Sequence, residues 1–129
     1  MRKGTTGKGM RILVVDDNED GAESLALLLE LAGHEVRTAS SASSALEIAP
    51  AFQPEVLLLD IGLPGMDGYE LARRLRQSSL SRDAILIAVT GYGQESDKLR
   101  SAQAGFAHHL VKPIDPEALE QLLRAAIAT

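Results

Sequence analysis

Side chains that could bind a metal ion and a phosphoryl group follow four separate apolar runs of the sequence. Strands of a parallel sheet end at one edge, so residues that follow such strands are expected to gather there. Carboxylate oxygens are the ligands that Mg²⁺ prefers, with Mn²⁺ as a second candidate, and a hydroxyl and an ammonium can bind phosphoryl oxygens. The sequence therefore predicts a joint cation and phosphoryl site. In chain order its side chains are Asp16 and Asp17 after residues 12–15, Asp60 after 56–59, Thr90 after 85–89 and Lys112 after 110–111.

The three carboxylates would repel one another in a shared pocket. Two unit charges about 4 Å apart, at an effective dielectric constant near 20, cost roughly 4 kcal/mol. A divalent cation and the ammonium of Lys112 would offset this repulsion. Asp16 and Asp17 also have a simpler interpretation, since an acid after a strand often caps the next helix. Grouped with Asp60 and Lys112, they are predicted to be metal ligands.

Asp60 is the predicted nucleophile. It ends the most apolar run and precedes a segment rich in Gly and Pro, residues 61–68. Its carboxylate can attack a phosphoryl group and become an aspartyl phosphate, while a turn-forming Asp is the alternative. Thr90 could also be an ordinary strand residue, and Lys112 a solvated surface charge. A cis bond at Pro113 would turn Lys112 inward.

Composition argues against several classes of function. The chain has 129 residues, enough for one domain with a core that needs no disulfide or structural metal. A net charge of −5 and only four aromatic residues argue against a direct nucleic-acid partner. There is no cysteine, no signal peptide and no apolar run of about 20 residues. We therefore expect a cytoplasmic protein without membrane insertion.

Strand-like runs alternate with helix-like stretches five times along the chain. The runs begin near residues 11, 35, 55, 84 and 107. Four are rich in Val, Ile and Leu and are expected to be covered on both faces, whereas residues 34–38 alternate and predict an edge strand. Repeated β-α units predict an α/β fold with a doubly wound, five-stranded parallel sheet in which strands one and three are central neighbours.

Capping residues mark the predicted helices. Asn18 is expected to cap a first helix that runs to about residue 32, Asp67 to cap the third, and Asp115 to open the last. The fourth helix, near residues 94–104, is mostly polar and is expected to be mobile. The residues predicted to face the core are Leu25, Leu28, Leu29 and Ala32 in the first helix, and Leu119, Leu122, Leu123 and Ile127 in the last.

The chain ends are interpreted separately from the domain. Residues 1–9 lack apolar periodicity and are predicted to be a disordered leader or a remnant of cloning, which leaves residues 10–129 as the domain. The chain stops at Thr129, directly after the last predicted helix. We therefore expect either a single-domain protein or a domain taken from a longer one.

The motif set resembles that of the receiver domains of two-component response regulators. It comprises Asp16-Asp17, Asp60 with Pro64 and Asp67-Gly68, Thr90, and Lys112-Pro113, in order and spacing, over residues 10–128. The resemblance implies a flavodoxin-like (βα)5 fold with strand order 2-1-3-4-5. It implies that Asp60 accepts a phosphoryl group from a histidine kinase or a histidine phosphotransfer protein. It also implies Mg²⁺ ligation by Asp16, Asp17, Asp60 and the Gly62 backbone carbonyl, and phosphoryl contacts from Thr90 and Lys112.

Further implications concern the signal. A receiver catalyses only its own phosphorylation and dephosphorylation, and we expect a monomer or a weak dimer. The new charge would move Thr90 and change the face formed by helix four, strand five and helix five. His109 lies where the family often has a Tyr or Phe that switches with the threonine; a buried histidine that only packs is the alternative. Gly62 lacks a side chain that many relatives place near the phosphoryl group, which leaves the dephosphorylation rate open.

The first helix and two later segments suggest partners. Leu27 and Leu31 lie one turn apart, opposite the predicted core face, and could dock the helix bundle of a kinase; scattered surface leucines are the alternative. Residues 90–94 and 105–113 resemble receivers that are fused to hybrid sensor kinases.

Three other functions fit the residues less well than a receiver does. A phosphatase of the haloacid dehalogenase type would place its nucleophile in an Asp-x-Asp pattern after the first strand, which residues 16–20 do not match. A flavin-binding module would need a loop rich in Ser and Thr where this chain has acids. A degenerate scaffold receiver would lack the acceptor or the lysine, and both Asp60 and Lys112 are present.

Overall fold

The fold is an open parallel sheet with helices on both faces. A computed structural model describes residues 9–78, 80, 83–91 and 98–128 of the chain. The predicted leader therefore lies almost entirely outside the described residues. The elements are β1 (Arg11–Val15), α1 (Glu19–Leu31), β2 (Glu35–Ala39), α2 (Ala42–Phe52), β3 (Val56–Asp60), α3 (Gly68–Ser78), β4 (Ile85–Thr90), α4 (Lys98–Ala104), β5 (Phe106–Val111) and α5 (Pro116–Ala128).

The strand order is β2-β1-β3-β4-β5, with every neighbouring pair parallel. This confirms the predicted fold class and strand order. Strand β2 is an edge strand, as its alternating sequence predicted. The expectation that the other four strands are covered on both faces is wrong for β5, which is the second edge; only Phe106 is buried, and the residues after it alternate between exposed and half-buried.

Alternate residues of the central strands feed two separate cores. Leu13, Leu57 and Leu86 point to the side where α2 and α3 pack, and Ala104 of α4 joins the same cluster. Ile12, Leu58 and Ile87 belong to the other cluster, with residues of α1 and α5. Because both faces of β1 and β3 are buried in this way, the carboxyl ends of these two strands are held firmly side by side.

The helices begin at the residues that the sequence indicated. The Asn18 side chain accepts a hydrogen bond from the Gly21 amide, which confirms it as the cap of α1. The Asp67 carboxylate accepts from the amide of Tyr69 near the start of α3, and Asp115 accepts from that of Glu117 in α5. Part of the predicted fourth helix lies outside the described residues, and its mobility stays a prediction.

The predicted inward faces are partly right. In α5, Leu119 and Leu123 are buried as predicted and Leu122 is half-buried, whereas the Ile127 side chain lies outside the described part. In α1, Leu29 is buried and Leu25 is half-buried, but Leu28 is 47% exposed and Ala32 is exposed, contrary to the prediction. The core contact of α1 is therefore narrower than its run of leucines suggested.

Candidate functional site

Three carboxylates meet where β1 and β3 end. Asp16 and Asp17 directly follow β1, and Asp60 is the last residue of β3. Each offers one oxygen, and these atoms all lie within 4.8 Å of one another. Asp60 is buried, Asp16 is half-buried and Asp17 is exposed, so the cluster opens from the sheet edge toward solvent. The grouping that the sequence predicted is thus present.

Lys112 reaches into the same cluster from the end of β5. Its Nζ lies 2.7 Å from Asp16 Oδ2 and 3.1 Å from Asp60 Oδ2, so one ammonium joins acids from two strands. The peptide bond between Lys112 and Pro113 is cis, as the sequence suggested. The contacts of Nζ with Asp16 and Asp60 rule out a lysine that is merely solvated.

The pKa of Lys112 is raised above its ordinary value of 10.5. Partial burial would by itself lower this pKa, but the hydrogen bonds and charges of Asp16 and Asp60 together outweigh it. A raised pKa means that the pairing stabilises the fold fully below pH 10.5, and that this contribution is lost as the pH rises through the raised value. The ammonium is therefore charged throughout the neutral range.

Two backbone amides orient the carboxylates of Asp60 and Asp16. The Gly62 amide donates to Asp60 Oδ1 at 2.8 Å, while Oδ2 of the same group faces Lys112. The Asn18 amide donates to Asp16 Oδ1 at 2.9 Å. These bonds fix which oxygen of each acid faces the lysine. The Gly62 carbonyl, which the resemblance implied as a metal ligand, stays a prediction.

Thr90 lies at the same edge of the sheet. It is the last residue of β4 and is 3% exposed, and the preceding Val89 pairs with Asp60 across the sheet. The Lys112 amide donates to the Thr90 carbonyl at 2.8 Å, which joins the ends of β4 and β5. Thr90 is therefore positioned near the acids by pairing on both sides of its strand.

His109 does not lie in the core. The residue is exposed on β5, so the alternative of a buried packing histidine is wrong. Its Nε2 lies 2.7 Å from Ser101 Oγ of α4, a contact that the sequence reasoning missed. A role for His109 in switching stays a prediction.

The leucines of α1 form a surface next to the site. Leu27 is 58% exposed and Leu31 is 78% exposed, as their positions predicted. Beside them Leu28 lines a groove of about 560 Å³, together with Pro113 and Ile114. Asp16 and Lys112 also line this groove, so it adjoins the charged cluster. The groove was not foreseen because its walls come from distant parts of the chain.

The donor set fits a hard divalent cation. Three carboxylates carry a formal charge of −3 and Lys112 carries +1, which leaves −2 at a site made of oxygen donors. An all-oxygen set suits Mg²⁺ or Mn²⁺ rather than zinc, which favours nitrogen and sulfur. Asp16, Asp17 and Asp60 can therefore hold such an ion.

The profile of the response regulator receiver domain matches residues 12–124. This chain belongs to that family. It is 36% identical over 119 residues to the phosphate regulon transcriptional regulatory protein PhoB of Pseudomonas aeruginosa, covering 92% of this chain and 52% of PhoB. It is 34% identical over 118 residues to protein PilH of the same organism, covering 92% of this chain and 98% of PilH. The chain thus spans about half of the first relative and nearly all of the second.

Solved structures agree with this membership. A CheY-like response regulator receiver domain protein from Methanospirillum hungatei superposes with a TM-score of 0.81 at 31% identity, over 94% of this chain and 96% of that one. A CheY-like receiver domain from Methylobacillus flagellatus gives a TM-score of 0.83 at 27% identity, over 92% and 99%. The class of function is therefore two-component phosphorelay signalling, in a regulatory domain rather than a classical enzyme. Within the described residues no helix is long and apolar enough to cross a membrane.

Proposed function

We propose that this domain accepts a phosphoryl group on Asp60 from a phosphohistidine of a histidine kinase or phosphotransfer protein. The observation that carries the proposal is the position of Lys112, whose Nζ lies within 3.1 Å of both Asp16 and Asp60. A lone acidic cluster could be a structural feature, but an acid cluster joined to a directed ammonium suits a phosphoryl group.

The transfer is a nucleophilic substitution at phosphorus. An oxygen of the Asp60 carboxylate attacks, a new O–P bond forms, and the N–P bond to the donor imidazole breaks with its electron pair returning to the ring nitrogen. Lys112 supplies positive charge and N–H donors to the phosphoryl oxygens, and Thr90 supplies a hydroxyl. Bound by Asp16, Asp17, Asp60 and the Gly62 carbonyl, Mg²⁺ would supply further positive charge beside the same oxygens.

Phosphorylation then becomes a conformational signal. It adds negative charge and acceptor oxygens at Asp60, next to the strand end that carries Thr90. A movement of Thr90 would be transmitted to α4, β5 and α5. His109, which is exposed on β5, would change position with it. The α4-β5-α5 face is thus the proposed output surface.

The donor would dock on α1. Leu27, Leu28 and Leu31 form an exposed apolar stripe, and the groove beside Leu28 is also lined by Asp16 and Lys112. A helix of a kinase or phosphotransfer protein, laid on this stripe, could bring its phosphohistidine to the open side of the cluster. That this chain is similar to receivers fused to hybrid kinases stays a separate prediction.

Intact mass measurement tests the acceptor. With acetyl phosphate and Mg²⁺ the protein should gain one phosphoryl group, about 80 Da, and this gain should be absent when Mg²⁺ is removed with a chelator. Asp60→Asn keeps the shape of the side chain and should abolish the gain, whereas Asp67→Asn, in the loop that follows β3, should retain it. An Asp60→Asn protein that is still phosphorylated to the same extent would reject Asp60 as acceptor.

A further inference from the structure

The Ser101 side chain of α4 is unusual because it is polar and almost fully buried. It is 1% exposed, and its Oγ lies 2.7 Å from His109 Nε2 of β5, where either group can donate the hydrogen. A hydroxyl that is removed from water needs a partner, and the described residues supply His109. The bond therefore links a buried position on the helix to an exposed residue of the edge strand.

Both ends of this bond are connected to the site. On one side the chain runs from Thr90 directly into the segment that leads to α4. On the other side β5 pairs with β4, with Val111 opposite Thr90 and His109 opposite Ala88. The Lys112 amide, one residue beyond β5, donates to the Thr90 carbonyl. Thr90 is therefore connected to the strand that carries His109 by strand pairing and by the Lys112 amide.

We infer that Ser101 is a positioning residue whose hydrogen bond to His109 holds α4 against β5 and opposes the response of this face to phosphorylation. The inference rests on the proposed function, because it concerns how the Asp60 signal leaves the site. The bond stabilises the unphosphorylated arrangement, so its loss should make the phosphorylated arrangement easier to reach. By thermodynamic linkage, a variant without the bond should bind a phosphoryl mimic more tightly.

The expected size follows from the usual strength of such bonds. A single neutral hydrogen bond changes an equilibrium by about two- to tenfold. Ser101→Ala and His109→Phe should each raise the affinity for beryllium trifluoride, measured with Mg²⁺ present, by a factor in this range. If the two residues act through one bond, Ser101→Ala should give no further increase in the His109→Phe background.

Two additional measurements separate the bond from general loosening of α4. Amide hydrogen exchange of residues 98–104, measured without any phosphoryl mimic, should be faster in Ser101→Ala and in His109→Phe than in the wild type. The His109 ring signals in nuclear magnetic resonance spectra should shift in Ser101→Ala. Ala102→Gly, at an exposed position of the same helix, should also speed exchange but leave the mimic affinity and the ring signals unchanged.

The outcomes distinguish a failure of the proposed function from a failure of this inference alone. If the wild type fails to bind the mimic, the proposed function is rejected and this inference falls with it. If the wild type binds the mimic but Ser101→Ala has the same affinity, only the inference is overturned. Additive effects in the double variant, or an equal affinity change in Ala102→Gly, would also overturn it.

Discussion

Strands β3 and β5 flank β4 on opposite sides, yet they hold their residues in very different surroundings. Every residue of β3 is buried, and Asp60 at its end is fixed by a backbone amide and by Lys112. In β5 only Phe106 is buried, Val111 is 57% exposed, and His109 meets α4 through a single described side-chain bond. The acids of the proposed site thus follow closely packed strands, whereas Lys112 and the proposed response belong to the less packed edge of the sheet.

This difference has a physical reason. A phosphoryl site acts through charges that are already in position, so a displacement of its acids or lysine by about 1 Å would lower its activity. A signalling surface must instead have two arrangements that differ by little free energy. A sheet edge with one open face and few bonds meets that need, whereas a strand buried on both faces does not.

The largest expected effect comes from Lys112→Met, which removes the cation that the end of β5 supplies to Asp16 and Asp60. Phosphorylation by acetyl phosphate should slow by about 100-fold, because one fixed donor to the phosphoryl oxygens is lost. The same variant should bind Mg²⁺ more tightly, since the ammonium no longer competes for Asp16 and Asp60. Stopped-flow phosphorylation and calorimetric Mg²⁺ titration measure the two quantities. Equal weakening of both would mean that the lysine only maintains the fold.

A smaller effect is expected for the exposed apolar stripe on α1, which is the proposed docking surface for the phosphoryl donor. Leu27→Ser combined with Leu31→Ser should slow phosphoryl transfer from the kinase or phosphotransfer protein by about tenfold, because apolar docking area is lost. Transfer from acetyl phosphate should be unchanged, since neither residue lines the groove or contacts the acids. Leu99→Ser, an exposed leucine on α4, is the matched control. Equal slowing with both donors would reject docking at α1.

The sequence was sufficient for the parts of the site that follow strands. Asp16, Asp17, Asp60, Thr90 and Lys112 could be grouped because parallel strands end at one edge, and this rule needs no knowledge of side-chain packing. The alternation of apolar segments likewise predicted the fold class, whereas the full strand order was implied by the family resemblance.

What the sequence did not reveal depends on contacts between elements. Ser101 is an ordinary helix residue until α4 is placed on β5, and nothing in its neighbours marks it as the partner of His109. Leu28 was assigned to the core because a run of leucines satisfies two helical faces at once, and only packing decides which face is covered. The hydrogen bonds that the Asn18 and Gly62 amides donate cannot be predicted from a pattern of side chains.

Gly68 offers a test of how firmly the Asp60 side is built. A Cβ at this position would lie 2.5 Å from the Ile61 Cα, directly beside Asp60, so the backbone must shift. Gly68→Ala should lower the free energy of unfolding by about 1–3 kcal/mol through overpacking, and it should also slow phosphorylation. Gly65→Ala, where the space is open but φ is +88°, strains only its own backbone and should slow phosphorylation less. Urea unfolding and acetyl phosphate kinetics give both values, and similar kinetics in the two variants would contradict close packing against Asp60.

The difference in burial between β3 and β5 can be tested by making the same Val→Thr substitution in each strand. Val56→Thr places a hydroxyl in β3 at a position that is 0% exposed, and Val111→Thr places it in β5 at 57% exposure. The first should lower the free energy of unfolding by about 1–3 kcal/mol, because the buried hydroxyl loses its water. The second should change it by less than about 0.5 kcal/mol, since its hydroxyl stays solvated. Because the two changes are chemically identical, any difference in urea midpoint reflects the surroundings alone. Equal losses would mean that β5 is covered in solution, and the open face required for a response would then be absent.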